Sequence, residues 1–484
     1  MDEIESFSLD PAPGEWDALR EKGHRMLDDM FDYLEHLRER PVWQPPPTEV
    51  CAHFAEPLPE SGAELEALHA RFMQEIVPYA VGNAHPAFMG WVHGGGTPVG
   101  MLAEMLAAGL NANLGGRNQM PVEVERQIVR WMRALFCFPQ SANGVFVSGT
   151  STANFVALLV ARTARLGCAV RRQGLAGRRL LAYASAGAHS SLARAMDMAG
   201  LGGEALRRIP LDSEGRMNVT ALHAAIRADR DSGGEPFFIA ATAGSVDTGA
   251  IDPLPEIAAI ARSEALWFHV DGAFGALARL SPSLAAKLGG IEQADSIACD
   301  FHKWLHVPYD AGFALLRDGD QQLATFSNEA DYLGRETRGL AGGSPWPCDL
   351  GPELSRGFRA LKTWFTLKAY GTERLARVIE GCCRLACYLA QRIEDEDELE
   401  LLAPVALNIV CFRYRAGEAA DDINRDIVIA LHEAGVAAPS TTRLNGRLAI
   451  RCAIVNHRTN QGDIDTLLEG VLAQGRKLSG DAHE

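Results

Sequence analysis

The chain has no clean membrane-length apolar run. Its longest uncharged stretch, 76–103, is long enough to cross a bilayer but carries Pro78, Pro86, Pro98 and six glycines. That composition describes irregular backbone folded over something, which excludes a membrane span as the expectation. The first residues, Met1–Glu5, are acidic and lack the apolar core of a signal peptide. Basic residues are in deficit: 46 Lys+Arg against 62 Asp+Glu give a net charge of −16. With no basic run either, nucleic acid is excluded as the expected partner. The ten cysteines are scattered without zinc spacing, and Cys382, Cys383 and Cys387 share one probable helix with no histidine beside them. No metal site is expected, and free thiols without an export signal indicate the cytoplasm. Internal repeats and low-complexity tracts are absent as well.

What is present is an ordinary globular composition, 47% hydrophobic and 22% charged. At 484 residues the chain exceeds one core, so roughly two or three domains are expected. Trp16, Leu19, Met26, Met30, Leu34 and Leu37 recur at helical steps within Glu15–Arg40. Pro41–Pro47 then stops the helix. From Asn83 to about Asp318 the pattern alternates. Apolar runs of strand length (Gly144–Val147, Leu180–Ala184, Phe237–Ala241, Leu266–Asp271, Ser296–Cys299, Gly312–Leu316) are separated by helical segments such as Ala153–Arg165. Alternation of this kind predicts a mostly parallel sheet covered on both faces, with ligands outside its C-terminal strand ends. Gly319–Pro347 has few apolar runs and reads as a long functional loop. A smaller α+β unit follows the helix Phe358–Tyr370, with strands Asn408–Tyr414 and Leu448–Ala453.

Chemistry concentrates in Ala298–Trp304, Ala-Cys-Asp-Phe-His-Lys-Trp, just past a short buried strand. Lys303 lies between His302 and Trp304, surroundings that lower an amine's pKa and free its lone pair for Schiff-base chemistry. Taken alone, such a lysine is more often a surface charge. Upstream, however, His269-Val-Asp271 ends another strand and Ala188-His-Ser-Ser191 supplies a histidine able to stack. A strand-end aspartate, a histidine and a lysine are the groups that hold pyridoxal phosphate (PLP). Ser148-Gly-Thr-Ser-Thr152 follows a strand and opens a helix, which is either a simple N-cap or an anion site.

In their order and spacing, Ala-His-Ser-Ser, His-Val-Asp-Gly-Ala-Phe, His-Lys-Trp and Phe358–Phe365 resemble the PLP-dependent group II amino-acid decarboxylases, the aromatic-L-amino-acid decarboxylases above all. The resemblance runs from about Trp16 to Leu472. It implies the α/β fold type I of PLP-dependent transferases: an N-terminal helical dimerisation segment (1–82), a large PLP-binding domain (83–357, mobile loop 319–347) and a small C-terminal α+β domain (358–484). It implies a homodimer with active sites at the subunit interface, and PLP held covalently on Lys303 as a Schiff base. Asp271 would pair with the ring nitrogen and His189 would stack on the ring. Thr150, Ser151, Ser245, Ala273 and His302 would complete the cofactor site. Asp300 stands where the family usually has asparagine, so it either turns away from the phosphate or bonds backbone groups. Tyr332 would protonate the substrate carbon, acting from the neighbouring subunit.

The reaction implied is decarboxylation of an L-amino acid to the amine and carbon dioxide. Phe72, Phe88, Trp91 and His93 are candidate pocket residues, and the absence of a cation in 76–103 favours an aromatic substrate. Against it, Gly94-Gly-Gly96 removes bulk, and Arg117 can bind a carboxylate unless it pairs with Glu123 or Glu125. An acidic or small substrate, oxidative deamination to an aldehyde, and a catalytically silent binding protein are the alternatives.

Overall fold

The computed structural model describes residues 8–12, 14–327 and 336–481. Seven strands form the main sheet: β1 (Asn143–Val147), β2 (Leu180–Ser185), β3 (Leu206–Ile209), β4 (Glu235–Thr242), β5 (Trp267–Asp271), β6 (Ser296–Asp300) and β7 (Gly312–Leu316). Their order is β1-β7-β6-β5-β4-β2-β3, and β7 alone runs against both of its neighbours. The sheet is thus mostly parallel, as the alternation predicts. Central strands β4 to β7 are buried nearly throughout, which explains why they read as apolar runs without alternation. The helix Thr150–Leu166 crosses one face of the sheet with Ala153, Val156, Ala157 and Val160 turned inward.

A second, antiparallel sheet has the order β10-β11-β9-β8 and comprises β8 (Leu399–Leu401), β9 (Ile409–Tyr414), β10 (Ser440–Leu444) and β11 (Arg447–Ala453). The backbone of 87–89 is stitched to this C-terminal unit: Met89 N donates to Ala438 O, Ala438 N to Ala87 O, and Ala453 N to Met89 O. The long helix Arg359–Glu394 bends at Gly371, whose φ of 68° is left-handed.

Two expectations are corrected. The stretch 319–347 is not structureless from its start: Gly319–Phe326 is a helix. Asp318 caps it, accepting from the N–H groups of Asp320 and Gln321, and Gln322 and Thr325 are buried. Arg117 pairs with neither Glu123 nor Glu125. Its guanidinium lies over the Trp346 ring, 4.6 Å from the centroid, while Glu123 meets Arg126 and Glu125 meets Arg356. No described helix is long and apolar enough to cross a membrane.

Candidate active site

Parallel pairing sets the site. Asp271 is the last residue of β5, in register with Ala298 of β6. Two further bonds, Gly272 N to Ala298 O and Asp300 N to Ala273 O, lock the two strand ends together. The one-turn helix Phe301–Trp304 leaves β6 directly and carries Lys303. β1 delivers the Ser148–Thr152 turn to the same end, β2 delivers His189 and β4 delivers Thr242. A cavity of about 380 Å³ lies between them.

Thr150, Ser151, His189, Asp271, Ala273, His302 and Lys303 all line that cavity, with Trp91 and His93 on its wall. Phe88 is buried behind them, stacked on His93 at 5.6 Å between centroids. Two candidates are not brought there. Ser245 keeps its hydroxyl inside its own turn, 3.0 Å from Thr248 Oγ1 and accepting from Ala250 N. Phe72 is exposed on the segment Phe72–Ile76 and is not part of the cavity wall. Tyr332 lies outside the described residues.

Asp271 is buried, with one carboxylate oxygen accepting from Asn154 Nδ2 at 2.9 Å and the other from Ala273 N at 3.2 Å. Burial pushes its carboxyl above the usual range, against the pull of the Asn154 hydrogen bond and of the charges on Lys303 and His189. Asp300 does bond backbone: its Oδ1 accepts from Thr150 N at 2.7 Å. Its Oδ2 lies 3.1 Å from Lys303 Nζ, so its charge is balanced by the lysine. His302 is held neutral mainly by burial, and its Nδ1 accepts from Ala311 N. Tyr309 packs on it with centroids 4.3 Å apart. Lys362, buried in the long helix, donates to Tyr309 O and so fixes that wall from behind.

Sequence reasoning missed Asn154, Thr242 and Tyr309. The available signals were modest: Asn154 is one turn beyond Thr150 in an apolar run, and Thr242 ends a strand. The Gly94-Gly95-Gly96 run also has another purpose than substrate space. A Cβ on Gly94 would overlap the carbonyl oxygens of His302 and Lys303, and one on Gly95 would overlap the Asn456 side chain.

A buried strand-end carboxylate and a lysine one turn past the adjoining strand, meeting in one cavity with unpaired threonine hydroxyls, are the groups a PLP enzyme uses. Residues 47–415 match the family model of the pyridoxal-dependent decarboxylase conserved domain, and the chain belongs to that family. It is 32% identical over 473 residues to an aromatic-L-amino-acid decarboxylase of Bacillus atrophaeus, covering 96% of each chain. It is 33% identical to an L-2,4-diaminobutyrate decarboxylase of Rhizobium meliloti (strain 1021), covering 87% of this chain and 84% of that one. Among solved structures, Oryza sativa TDC with PLP and tryptamine superposes with a TM-score of 0.89 at 25% identity, covering 98% of this chain and 100% of the other. The protein is a PLP-dependent amino-acid decarboxylase of fold type I. The residues present fit its cofactor. The hydroxyls of Thr150 and Thr242 are buried on the cavity wall without a hydrogen-bond partner, and Asp271 lies at the floor of the same space.

Proposed function

We propose that the cavity decarboxylates an aromatic L-amino acid, with Lys303 as the covalent anchor of PLP and Asp271 as the partner of its ring nitrogen. The observation that carries this reading is the meeting of Lys303, Asp271 and the unpaired hydroxyls of Thr150 and Thr242 in one cavity whose outer wall is Trp91, His93 and Tyr309. Among the described lining residues Lys303 is the one lysine or arginine, and both acids, Asp271 and Asp300, belong to the cofactor end. Among the described residues an acidic side chain finds no lysine or arginine at the aromatic wall, and a basic one finds no carboxylate there.

When bound, PLP withdraws the electrons left as the carboxylate departs. Asp271 keeps a negative charge against the ring nitrogen, so that nitrogen stays protonated. Thr150 and the helix terminus at Ser151 would bind the phosphate end, and Thr242, in register with Asp271, would meet the ring end. His189 covers the ring face. The aromatic wall of Trp91, His93 and Tyr309 would hold the substrate side chain and so orient the carboxylate bond for cleavage. Tyr332, or His189, delivers the proton that replaces carbon dioxide.

A homodimer is part of the proposal. The helix Trp16–Glu35 has no buried residue, and Trp16, Leu19, Phe54, Leu58 and Phe72 are exposed, a surface that a second copy would cover. Free thiols on all ten cysteines support a reducing compartment such as the cytoplasm.

The test is a panel of aromatic, acidic, basic and small L-amino acids, with carbon dioxide, amine and hydrogen peroxide each measured. The expected result is amine from an aromatic substrate in step with carbon dioxide. Turnover confined to an acidic or basic amino acid would overturn the substrate class, and stoichiometric peroxide would make the protein an aldehyde-forming enzyme. Borohydride reduction should fix the cofactor on Lys303; an adduct on another lysine removes that assignment. Tyr332→Phe should lower amine and raise aldehyde and peroxide, and an unchanged product ratio would remove Tyr332 as proton donor.

A further inference from the structure

Trp267, His269 and Asp271 alternate along β5 and project to one face of the sheet. The helix Thr150–Leu166 covers that face, and its Asn154 lies between His269 and Asp271. Ser296, in register with His269 on the neighbouring strand β6, joins them. Asn154, His269 and Ser296 are completely buried.

The chemistry of each group fixes the direction of every bond. A carboxylate only accepts, so the Asn154 amide must turn its nitrogen to Asp271 Oδ2 (2.9 Å); the same nitrogen donates to Ser191 Oγ (3.1 Å). Asn154 Oδ1 then faces His269 Nε2 at 2.9 Å, which must carry the proton. Burial drives the His269 pKa down to about 3, so the ring is neutral and its Nδ1 is an acceptor. Ser296 donates to it at 2.8 Å, and Ser296 Oγ in turn accepts from Trp267 Nε1 at 2.8 Å. Phe238 stacks on the imidazole at 5.5 Å and holds its plane. The result is a chain of donors that begins at an indole and ends on one oxygen of Asp271.

We propose that Trp267, Ser296, His269 and Asn154 form a one-way hydrogen-bond relay that orients Asp271 and sustains its negative charge toward the cofactor, with Asn154 as the positioning residue. This rests on the pairing of Asp271 with the ring nitrogen proposed above. A carboxylate with a donor on each oxygen, Asn154 on Oδ2 and the Ala273 N–H on Oδ1, is spared part of the cost of burial and is held in one orientation. A neutral hydrogen-bonding residue achieves this without a second charge that would compete with the ring for Asp271.

The experiment measures PLP binding to apoprotein by equilibrium dialysis across pH, with the absorbance of the bound cofactor and the unfolding midpoint of the apoprotein as companions. Asn154→Leu should weaken binding at neutral pH about tenfold, the value of one hydrogen bond to a charged group. It should also move the loss of binding on acidification about one pH unit upward, because Asp271 without its donor takes a proton more readily. Lys303 and His189, the other groups that act on the charge of Asp271, are the same in wild type and variant. His269→Gln keeps an N–H toward Asn154 and should retain wild-type affinity; His269→Phe keeps a ring without it and should behave like Asn154→Leu. Should either variant fail to fold, Ser296→Thr against Ser296→Ala makes the same contrast, since threonine keeps the hydroxyl. If Asp271→Asn weakens binding while Asn154→Leu leaves affinity and pH limb unchanged, the relay is overturned. It is overturned too if His269→Gln loses as much as His269→Phe, for then packing is what matters. If Asp271→Asn itself binds as wild type does, the pairing of Asp271 fails first, and the relay with it.

Discussion

At Gly94 a missing side chain decides where the cofactor lysine stands. The carbonyl oxygens of His302 and Lys303 occupy the space a Cβ would take, so the backbone of 93–96 lies directly against the one-turn helix that bears Lys303. Gly94→Ala is therefore expected to displace that helix, at a cost of about 1–3 kcal/mol in apoprotein stability and a weaker PLP dissociation constant. Urea unfolding and cofactor titration check this; wild-type values in both would show that the two segments can part freely. The same scale explains what the sequence disclosed of the site. Lys303, Asp271 and Thr150 stand at strand ends within short contiguous motifs, so local pattern reveals them. Asn154 and Thr242 acquire their importance from partners more than a hundred residues away or from an empty space beside them, and no local pattern carries that. Phe72 and Ser245 do not line the cavity of this chain, and nothing in their local pattern tells on which side of it they fall.

Elements were legible in proportion to their burial. The strands β1, β2 and β4 to β7 are buried almost end to end and announce themselves as apolar runs. β3 and β10 are edge strands whose burial is broken, with sequences Leu-Arg-Arg-Ile and Ser-Thr-Thr-Arg-Leu that resemble loop. The helix Gly319–Phe326 hid behind its polar composition, although Asp318 is an ordinary cap. What joins elements is least legible of all. The Arg356 side chain is 1% exposed; it donates to both oxygens of Glu125 and to the carbonyls of Leu114 and Phe146. It thereby ties the helix Met120–Leu135 to β1, the strand that delivers the Ser148–Thr152 turn. Arg356→Met should destabilise the protein by about 3–5 kcal/mol, because Glu125 is left buried and charged without a counter-charge. Adding Glu125→Gln should recover part of that loss, since the amide oxygen still accepts from Phe146 N. Denaturant midpoints of the single and double variants decide it: a double variant as unstable as the single one would mean that the shape of the arginine, not its charge, is what the junction needs.

The molecule as a whole carries a pH liability in its histidines. Among the histidines of the described residues, six (His85, His93, His269, His302, His306 and His457) are pushed below the ordinary range, with burial the first cause in each. His269 falls to about 3 and His457 to about 4. A depressed pKa means that the folded protein refuses a proton the unfolded chain accepts. The stability these groups contribute is complete above the unfolded value near 6.5 and is lost as pH falls toward the folded values. Asp252 opposes them: burial raises it to about 6, so its contribution is complete below its ordinary range and lost as pH rises through 6. Burial raises Asp271 and Asp295 as well, and the bond to the Asp32 carbonyl raises His36, so between pH 6.5 and 4 these few groups work against six imidazoles, and the histidines prevail. The apoprotein should lose a few kcal/mol of unfolding free energy between pH 7 and pH 5. His457 is the place to test the cause, because it donates to or accepts from nothing at the cofactor end and bonds Gly96 O instead. His457→Gln keeps a donor for that carbonyl and removes the titrating group, so its stability should fall less steeply with acid than that of wild type. Parallel pH curves for the two proteins would assign the acid sensitivity elsewhere, and a curve rising toward pH 5 would mean that the buried carboxyls outweigh the histidines.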